Sequence, residues 1–204
     1  MNLFSQTDFS LRYFGLTIHP NGDQTAKIQP YKLDSHAYAV ANFGAFASID
    51  HYFLYDQLAF TLMQGIFTDC SGGIAGFSHF GIRGLLLEKG KHRLLAGIGP
   101  MLYYRRDWNR FSEYEDSGFF HRYHSRNFGD LQYKVFWVAG EFAWQWEISD
   151  HLDFNAGFTP GFPLAMSFSA GLTWWPQRFT KKIEQPKIYF RFKRKKKEEL
   201  SPRP

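Results

Sequence analysis

The chain has 204 residues, a formal net charge of +5, 20% aromatic residues and a single cysteine. One cysteine, Cys70, excludes an intrachain disulfide and a zinc site built from several thiolates. No run approaches the roughly 18 uninterrupted apolar residues of a membrane helix, and the mean hydropathy is −0.38. The composition is still compatible with a transmembrane β-barrel, because membrane strands need only about 9–11 residues each.

The first residues, Met1-Asn-Leu-Phe-Ser-Gln6, are too short for a whole signal peptide. Their Phe-Ser-Gln ending resembles the last residues of export signals in Bacteroidota. Residues 1–6 are therefore expected to be a signal-peptide remnant or an internal start, with the mature chain beginning near Gln6. An ordinary cytoplasmic N-terminus is the alternative.

Alternation of large apolar residues with small or polar ones predicts eight β-strands, because successive side chains of a strand point to opposite faces. The pattern is unbroken from Leu164 to Trp174. In the first strand large apolar residues fall on both faces of the alternation, which predicts either a bulge or a misplaced strand boundary. The predicted strands cover about residues 9–18, 36–48, 57–67, 74–87, 92–105, 131–148, 152–158 and 164–174.

Long and short connections alternate between these strands, as outer-membrane barrels require of their outer and periplasmic ends. An even strand number also places both ends of the barrel on the periplasmic side. The expected loops are 19–35, 68–73, 106–130 and 159–163, and the expected turns lie near 49–56, 88–91 and 149–151.

The alternation, the aromatic strand ends and the final Gly-Leu-Thr-Trp-Trp175 together resemble the small eight-stranded outer-membrane barrels, such as the OmpA transmembrane domain and OmpX. The resemblance implies an all-β, eight-stranded antiparallel up-and-down transmembrane β-barrel over residues 7–176, in the outer membrane of a Gram-negative bacterium. The alternative is a soluble β-sandwich or lipocalin-like barrel. Its water face usually carries Lys and Glu, whereas here Ala, Gly, Ser and Thr alternate with the large residues.

The two faces of the strands predict a filled, non-conducting lumen and a lipid-facing exterior, because eight strands leave an interior just wide enough for side chains. A charge inside needs a partner. Arg83 with Glu141 is the preferred ion pair, and Arg12 is a possible third member. The expected lumen residues are Gln57, Thr61, Arg83, Glu141, Gln145, Glu147 and Asn155. The expected lipid-facing residues are Phe136, Val138, Phe142, Trp144, Trp146, Phe154, Phe168, Leu172 and Trp174.

The longest loop reads His124-Ser125-Arg126-Asn127, which is similar to the His-x-Ser-Asn of PagL-type lipid A deacylases with the x moved after Ser. The resemblance implies an alternative function, a lipid A or phospholipid acyl hydrolase using His124, Ser125 and a nearby acid such as Asp130. Adjacent residues of a strand diverge, so the leading expectation has no catalytic residue. A structural or partner-contacting loop is then expected, with no metal and no cofactor.

The residues after 176 form a basic tail. From Lys181 onward ten Lys and Arg face three Glu, a net charge of +7 that leaves about −2 for the preceding residues. Residues 177–204 are expected in the periplasm, where basic residues contact anionic headgroups or an envelope protein. A disordered, solubilising tail is the alternative, and no nucleic-acid partner is expected. Outer-membrane lipids and lipopolysaccharide are the other expected partners. The tail residues expected to make contacts are Lys187, Arg191, Lys193, Arg194, Lys195, Lys196 and Lys197.

Overall fold

The structure of the chain, a computed structural model, is almost entirely β. It describes residues 6–22, 26–53, 57–112, 124–128, 130–161 and 165–178. Within these ranges, none of the helices is long or apolar enough to cross a bilayer. The strands are β1 (Gln6–Ile18), β2 (Ala39–Ala41), β3 (Gly44–Phe53), β4 (Leu58–Thr68), β5 (Ile74–Lys89), β6 (His92–Arg106), β7 (His124–Phe128), β8 (Leu131–Ser149), β9 (Leu152–Gly161) and β10 (Ala165–Trp174).

The sheet closes on itself. Each long strand pairs antiparallel with the next one along the chain, and β10 pairs with β1 from Phe9↔Trp174 to Ile18↔Met166. Over the described residues, eight long strands thus form a closed antiparallel up-and-down barrel. This confirms the predicted all-β fold class. Closure pairs the strand edges that an open sheet would expose.

The strand predicted at residues 36–48 is interrupted and displaced. β2 and β3 both pair with β1, as two parts of one barrel strand. Asp34 accepts hydrogen bonds from the backbone N–H of His36, Tyr38 and Ala39, which holds the chain before β2 in a turn. The prediction missed the short β7 in the longest loop, which pairs with the beginning of β8.

Several strands carry bulges, and two of these bear on the predicted positions. In β1 the register shifts between Phe14 and Leu16, which is the first of the two alternatives that its mixed parity left open. In β8, Trp137 and Val138 together face the single residue Pro100 of β6. Such an extra residue reverses the parity of everything beyond it.

The barrel has two ends, which we call the turn end and the loop end. The turn end carries the short connections β3–β4, β5–β6 and β8–β9, and the first and last barrel strands begin and finish there. The loop end carries the connections at residues 19–38, 69–73, 107–130 and 162–164. Large apolar side chains face outward along the barrel wall, whereas charged side chains occupy the interior between the two ends.

Candidate functional site

A layer of paired charges crosses the middle of the barrel. Arg12 of β1 bonds Glu141 of β8, and Arg83 of β5 donates from Nη2 to the other oxygen of Glu141 at 2.8 Å. Arg83 also forms an ion pair with Asp50 of β3. The thioether of Met63 lies 3.5 Å from Arg12 and 3.6 Å from Arg83. The layer therefore ties together strands from opposite sides of the barrel.

The charge layer is balanced and almost completely removed from solvent. Two guanidinium groups face two carboxylates, and none of the four side chains is more than 4% exposed. A buried charge without a partner is costly, whereas a buried pair with good hydrogen bonds offsets its own desolvation. The sequence brings these groups together because Arg12, Asp50, Arg83 and Glu141 all occupy inward parities of their strands.

An apolar layer lies between the charges and the loop end. Phe14, Phe46, Met63, Phe67 and Ala75 form one buried cluster, against which the partly buried hydrophobic residues Phe77 and Tyr103 pack. The rings of Phe14 and Phe67 are 4.4 Å apart, and the guanidinium of Arg12 lies 4.3 Å above the ring of Phe46. This apolar cluster thus lies inside the barrel, on the loop-end side of the charge layer.

An aromatic cluster lies at the turn end. Trp175, the residue after β10, is fully buried and packs 5.3 Å from the ring of Tyr52. Its indole N–H donates to Asp153 at 2.8 Å, and the guanidinium groups of Arg93 and Arg178 lie 5.4 and 4.7 Å from its ring. The chain therefore turns back into the barrel mouth after its last strand.

The connections at the loop end are tied down by side chains. Asp69 accepts from the backbone N–H of Ser71 and Gly73, each at 2.9 Å, and from the indole N–H of Trp108 at 2.5 Å. Arg105 lies over the ring of Trp108 at 3.8 Å. Asp69 therefore links the β4–β5 connection to the beginning of the longest loop.

The predicted lumen residues occupy the following places. Arg83 and Glu141 are in contact, while Gln145 and Asn155 are fully buried. Asn155 donates to the hydroxyl of Thr173 at 3.1 Å. Glu147 is nearer the turn end, where its carboxylate lies 3.8 Å from Arg178 and is 40% exposed.

Thr61 is buried inside the barrel, and Gln57 is half-buried in the turn that precedes β4. Sequence reasoning missed Asp50 as a partner of Arg83, because the second strand was expected to end at residue 48. The inward position of Asp50 could have been found from Phe46 and Ser48, because continuing their alternation by two residues reaches Asp50.

The residues expected to face lipid lie on the outer face of the barrel with one exception. Phe154 is half-buried against the ring of Trp144 at a centroid distance of 6.0 Å. Seven more are between 38% and 73% exposed: Val138, Phe142, Trp144, Trp146, Phe168, Leu172 and Trp174.

Phe136 is the exception, and its expected position is corrected. It pairs with Met101 on the inward parity, with the ammonium of Lys134 at 4.8 Å from its ring. The cause is the bulge at Trp137 and Val138, which leaves Val135 rather than Phe136 facing outward. Apolar Val135 and Trp137 on the supposed polar parity are the signal that locates this bulge.

The residues of the hydrolase hypothesis are only partly described. The backbone of His124 pairs with Tyr133 and that of Ser125 with Gln132, while Asp130 lies exposed in the turn with a φ of 59°. The side chains of His124 and Ser125 lie outside the described part of the chain. The same holds for residues 113–123 and for the basic tail from residue 179, with all its predicted contact residues. Among the described residues, no group of three or more His, Cys, Asp or Glu could hold a metal ion.

Comparison with known proteins adds only fold likeness. No protein-family model and no curated protein matches the chain. Among solved structures, Neisserial surface protein A (NspA) is similar, with a TM-score of 0.47 and 8% identity over 83% of this chain and 96% of that one. The N-terminal β-barrel domain of Pseudomonas aeruginosa OprF gives 0.43 and 10% over 84% and 98%. Ail of Yersinia pestis gives 0.42 and 12% over 86% and 99%.

These likenesses are too distant to carry an argument about function. The architecture follows from the pairing of β10 with β1 in the chain itself. Over the described residues the chain is a small closed antiparallel barrel with an apolar wall and a charged middle layer, an OmpA- and OmpX-like architecture.

Proposed function

We propose that this chain is an integral β-barrel of the Gram-negative outer membrane, with a filled, non-conducting lumen, which serves as a structural or interaction component of the envelope. One observation carries the proposal, the inverted distribution of polarity. The charged Arg83 is 1% exposed, whereas the large apolar Trp137 is 80% exposed. That distribution suits a hydrocarbon surrounding and is costly in water.

The extent of the apolar wall supports a membrane location over a soluble barrel. Outward apolar side chains continue from β1 through every long strand to β10, for instance Leu11, Leu62, Ile98 and Leu172, all exposed. Soluble monomers rarely expose contiguous apolar patches of more than a few hundred Å². A lipid surrounding would cover this wall.

The loop end supplies the proposed interaction surface. Short turns are the periplasmic connections of outer-membrane barrels and long loops the external ones, so we assign the loop end to the outside and the tail to the periplasm. The loop before β2 is held in shape by Asp34 and exposes Tyr31, Leu33 and Tyr38. Fixed, exposed apolar side chains of this kind favour contact with an envelope protein partner.

The layers inside the barrel support a closed lumen. An ion crossing it would have to displace the Phe14 and Phe67 layer, break the Arg83–Glu141 pair and pass the buried Trp175. Each of these layers is packed or hydrogen-bonded across the barrel, so the proposed role does not include conduction.

Two measurements on the full chain test the proposal. Expressed with an export signal in a Gram-negative host, the chain should fractionate with the outer membrane and give a heat-modifiable gel band after detergent extraction. In a planar bilayer the folded protein should show no unitary conductance steps. A monomer stable in buffer without detergent would overturn the membrane location, and regular conductance steps would overturn the closed lumen.

A further inference from the structure

Two aspartates lie side by side inside the barrel, on the turn-end side of Arg12. Asp8 of β1 is directly opposite Asp50 of β3 in the strand register, and both side chains are fully buried. Asp50 forms its ion pair with Arg83, whereas the hydrogen bond to Asp8 comes from the neutral hydroxyl of Tyr52, at 3.1 Å. Like charges directly opposite each other on neighbouring strands are destabilising, so the two carboxylates together attract a further positive group.

The buried charges of this region do not balance once Asp8 is counted with the charge layer. Two guanidinium groups face three carboxylates, none more than 4% exposed: Arg12, Arg83, Asp8, Asp50 and Glu141. Within the described part of the chain, no Lys or Arg forms an ion pair with Asp8. The half-buried Arg93 lies instead over the rings of Tyr52 and Trp175, at 5.7 and 5.4 Å. One negative charge is therefore left over, and a buried charge without a partner is costly.

Four buried oxygens around the two aspartates have no hydrogen-bond partner among the described residues: Oδ1 of Asp8, Oδ1 of Asp50, Oγ of Ser48 and Oγ1 of Thr61. Thr61 is opposite Asp50 on β4, and Ser48 is the next inward residue along β3. The Cβ atoms of opposite residues are only about 4.5–5.5 Å apart, so these side chains are neighbours. Buried polar atoms nearly always have a partner, so a bound ion or water between the four oxygens is expected.

Gln145 adds a fifth oxygen from the opposite wall, because β8 lies across the barrel from β3 in the strand order. Gln145 lies four residues nearer the turn end than Glu141, and Asp8 lies four residues nearer that end than Arg12. Since Glu141 bonds Arg12, Gln145 and Asp8 occupy the same level of the lumen. Gln145 is fully buried, and neither polar atom of its amide has a partner among the described residues. Its carbonyl oxygen can therefore turn toward the two aspartates.

We propose that the lumen binds one monovalent metal cation, sodium or potassium, between Asp8 and Asp50. The hydroxyl oxygens of Ser48 and Thr61 and the carbonyl oxygen of Gln145 complete its coordination, since protein oxygens replace the water shell of such ions. One positive charge makes the buried region neutral. A divalent ion would leave it positive, and among the described residues no group of three His, Cys, Asp or Glu offers such an ion a site. The cation site lies in the closed interior and goes beyond the proposed envelope role.

A shared proton or bound water accounts for fewer of these observations than a cation does. A proton between Asp8 and Asp50 bonds two carboxylate oxygens and leaves Ser48, Thr61 and Gln145 without a partner. Water molecules satisfy hydrogen bonds but leave the excess negative charge in place. One cation contacts oxygens of all five side chains and neutralises the charge at the same time.

The test compares urea unfolding of the full chain in zwitterionic phospholipid vesicles at neutral pH, with sodium, potassium or choline chloride at constant ionic strength. Choline is too large for the packed lumen and serves as the reference cation. Replacing choline with the preferred ion, from about 1 to about 100 mM, should raise the folded-to-unfolded ratio of the wild type about tenfold for a Kd of about 10 mM. Asp8→Asn, which removes the charge without an ion-pair partner, should abolish this gain. Identical unfolding curves in all three salts would overturn the inference.

Asp150→Asn is the matched control, because Asp150 is an exposed carboxylate of the turn end, and it should keep the full gain. Thr61→Val preserves the shape of a buried ligand and removes one oxygen, so it should shift the gain to higher cation concentration. An equal gain in the wild type and Asp8→Asn would place the cation elsewhere. A stability that depends on pH but on neither metal ion would assign a shared proton, and either result overturns the inference. If the folded chain is stable in buffer without detergent, the same titration in buffer still tests the cation site, so a failure of the membrane proposal is recognised separately.

Discussion

Replacing Glu141 with Gln removes one charge from the middle of the barrel with almost no change of shape. In the structure Glu141 accepts from both Arg12 and Arg83, and Arg83 keeps a second carboxylate in Asp50. Arg12, which is fully buried, would lose its only carboxylate partner and keep neutral contacts, with the new amide oxygen, the thioether of Met63 at 3.5 Å and the ring of Phe46 at 4.3 Å. Removing one partner of a buried pair typically costs about 3–5 kcal/mol, so Glu141→Gln should lower the free energy of unfolding by that amount.

Urea unfolding in lipid vesicles, followed by tryptophan fluorescence and by the heat-modifiable gel band, measures this loss. Glu147→Gln is the matched control, because Glu147 is 40% exposed and its contact with Arg178 is 3.8 Å long; its loss should be under about 1 kcal/mol. The double variant Arg12→Met/Glu141→Gln should recover most of the stability, since it leaves the Arg83–Asp50 pair intact. Equal losses for Glu141→Gln and Glu147→Gln, or no recovery in the double variant, would refute the reasoning.

Three further outcomes are expected. Phe168→Arg should cost about 2–4 kcal/mol in a bilayer and Phe168→Leu under about 1.5 kcal/mol, as urea titration would show. Trp175→Ala should lower the free energy of unfolding by about 3–5 kcal/mol. Trp174→Ala removes only the ring pair with Phe9 on the outer face and should lower it by about 0.5–1.5 kcal/mol. Hydrogen bonds from the backbone N–H groups of Ala39, Tyr38 and His36 lower the pKa of Asp34. The stability that these bonds add to the loop is therefore complete above the ordinary pKa of about 3.9 and fades as the pH falls below it. The amide shifts of the loop in NMR spectra should follow this pH dependence, and Asp34→Asn should abolish it.

The positions of most strands were predictable because side chains alternate between the two faces of the barrel wall with a period of two residues. The strand expected at residues 131–148 is β8 (Leu131–Ser149), and the one expected at 164–174 is β10 (Ala165–Trp174). The contact between Arg83 and Glu141 could also be predicted from the sequence, because buried charges of opposite sign in a narrow lumen have few other partners. Alternation and charge balance together were enough for these features.

Features that depend on a single extra residue were not predictable from alternation alone. The bulge at Trp137 and Val138 moves Phe136 inward, although a strict period-two reading places it outward. The burial of Trp175 likewise depends on where the chain turns after β10. That turn brings its indole N–H to Asp153 and its ring against Tyr52. Such positions are decided by local backbone irregularities and long-range contacts. Neither of these produces a periodic pattern in the sequence from which it could be predicted.

Along β10 the outward apolar side chains should touch hydrocarbon, whereas Ser167, Ser169 and Gly171 should face a sealed interior. Single cysteines introduced at residues 166–172 of β10, in a Cys70→Ser background, can carry a fluorophore in vesicles containing nitroxide-labelled lipid. Positions 166, 168, 170 and 172 should be strongly quenched, and positions 167, 169 and 171 should be protected from both lipid and aqueous quenchers. The opposite alternation, or quenching of both sets by an aqueous quencher, would contradict the account.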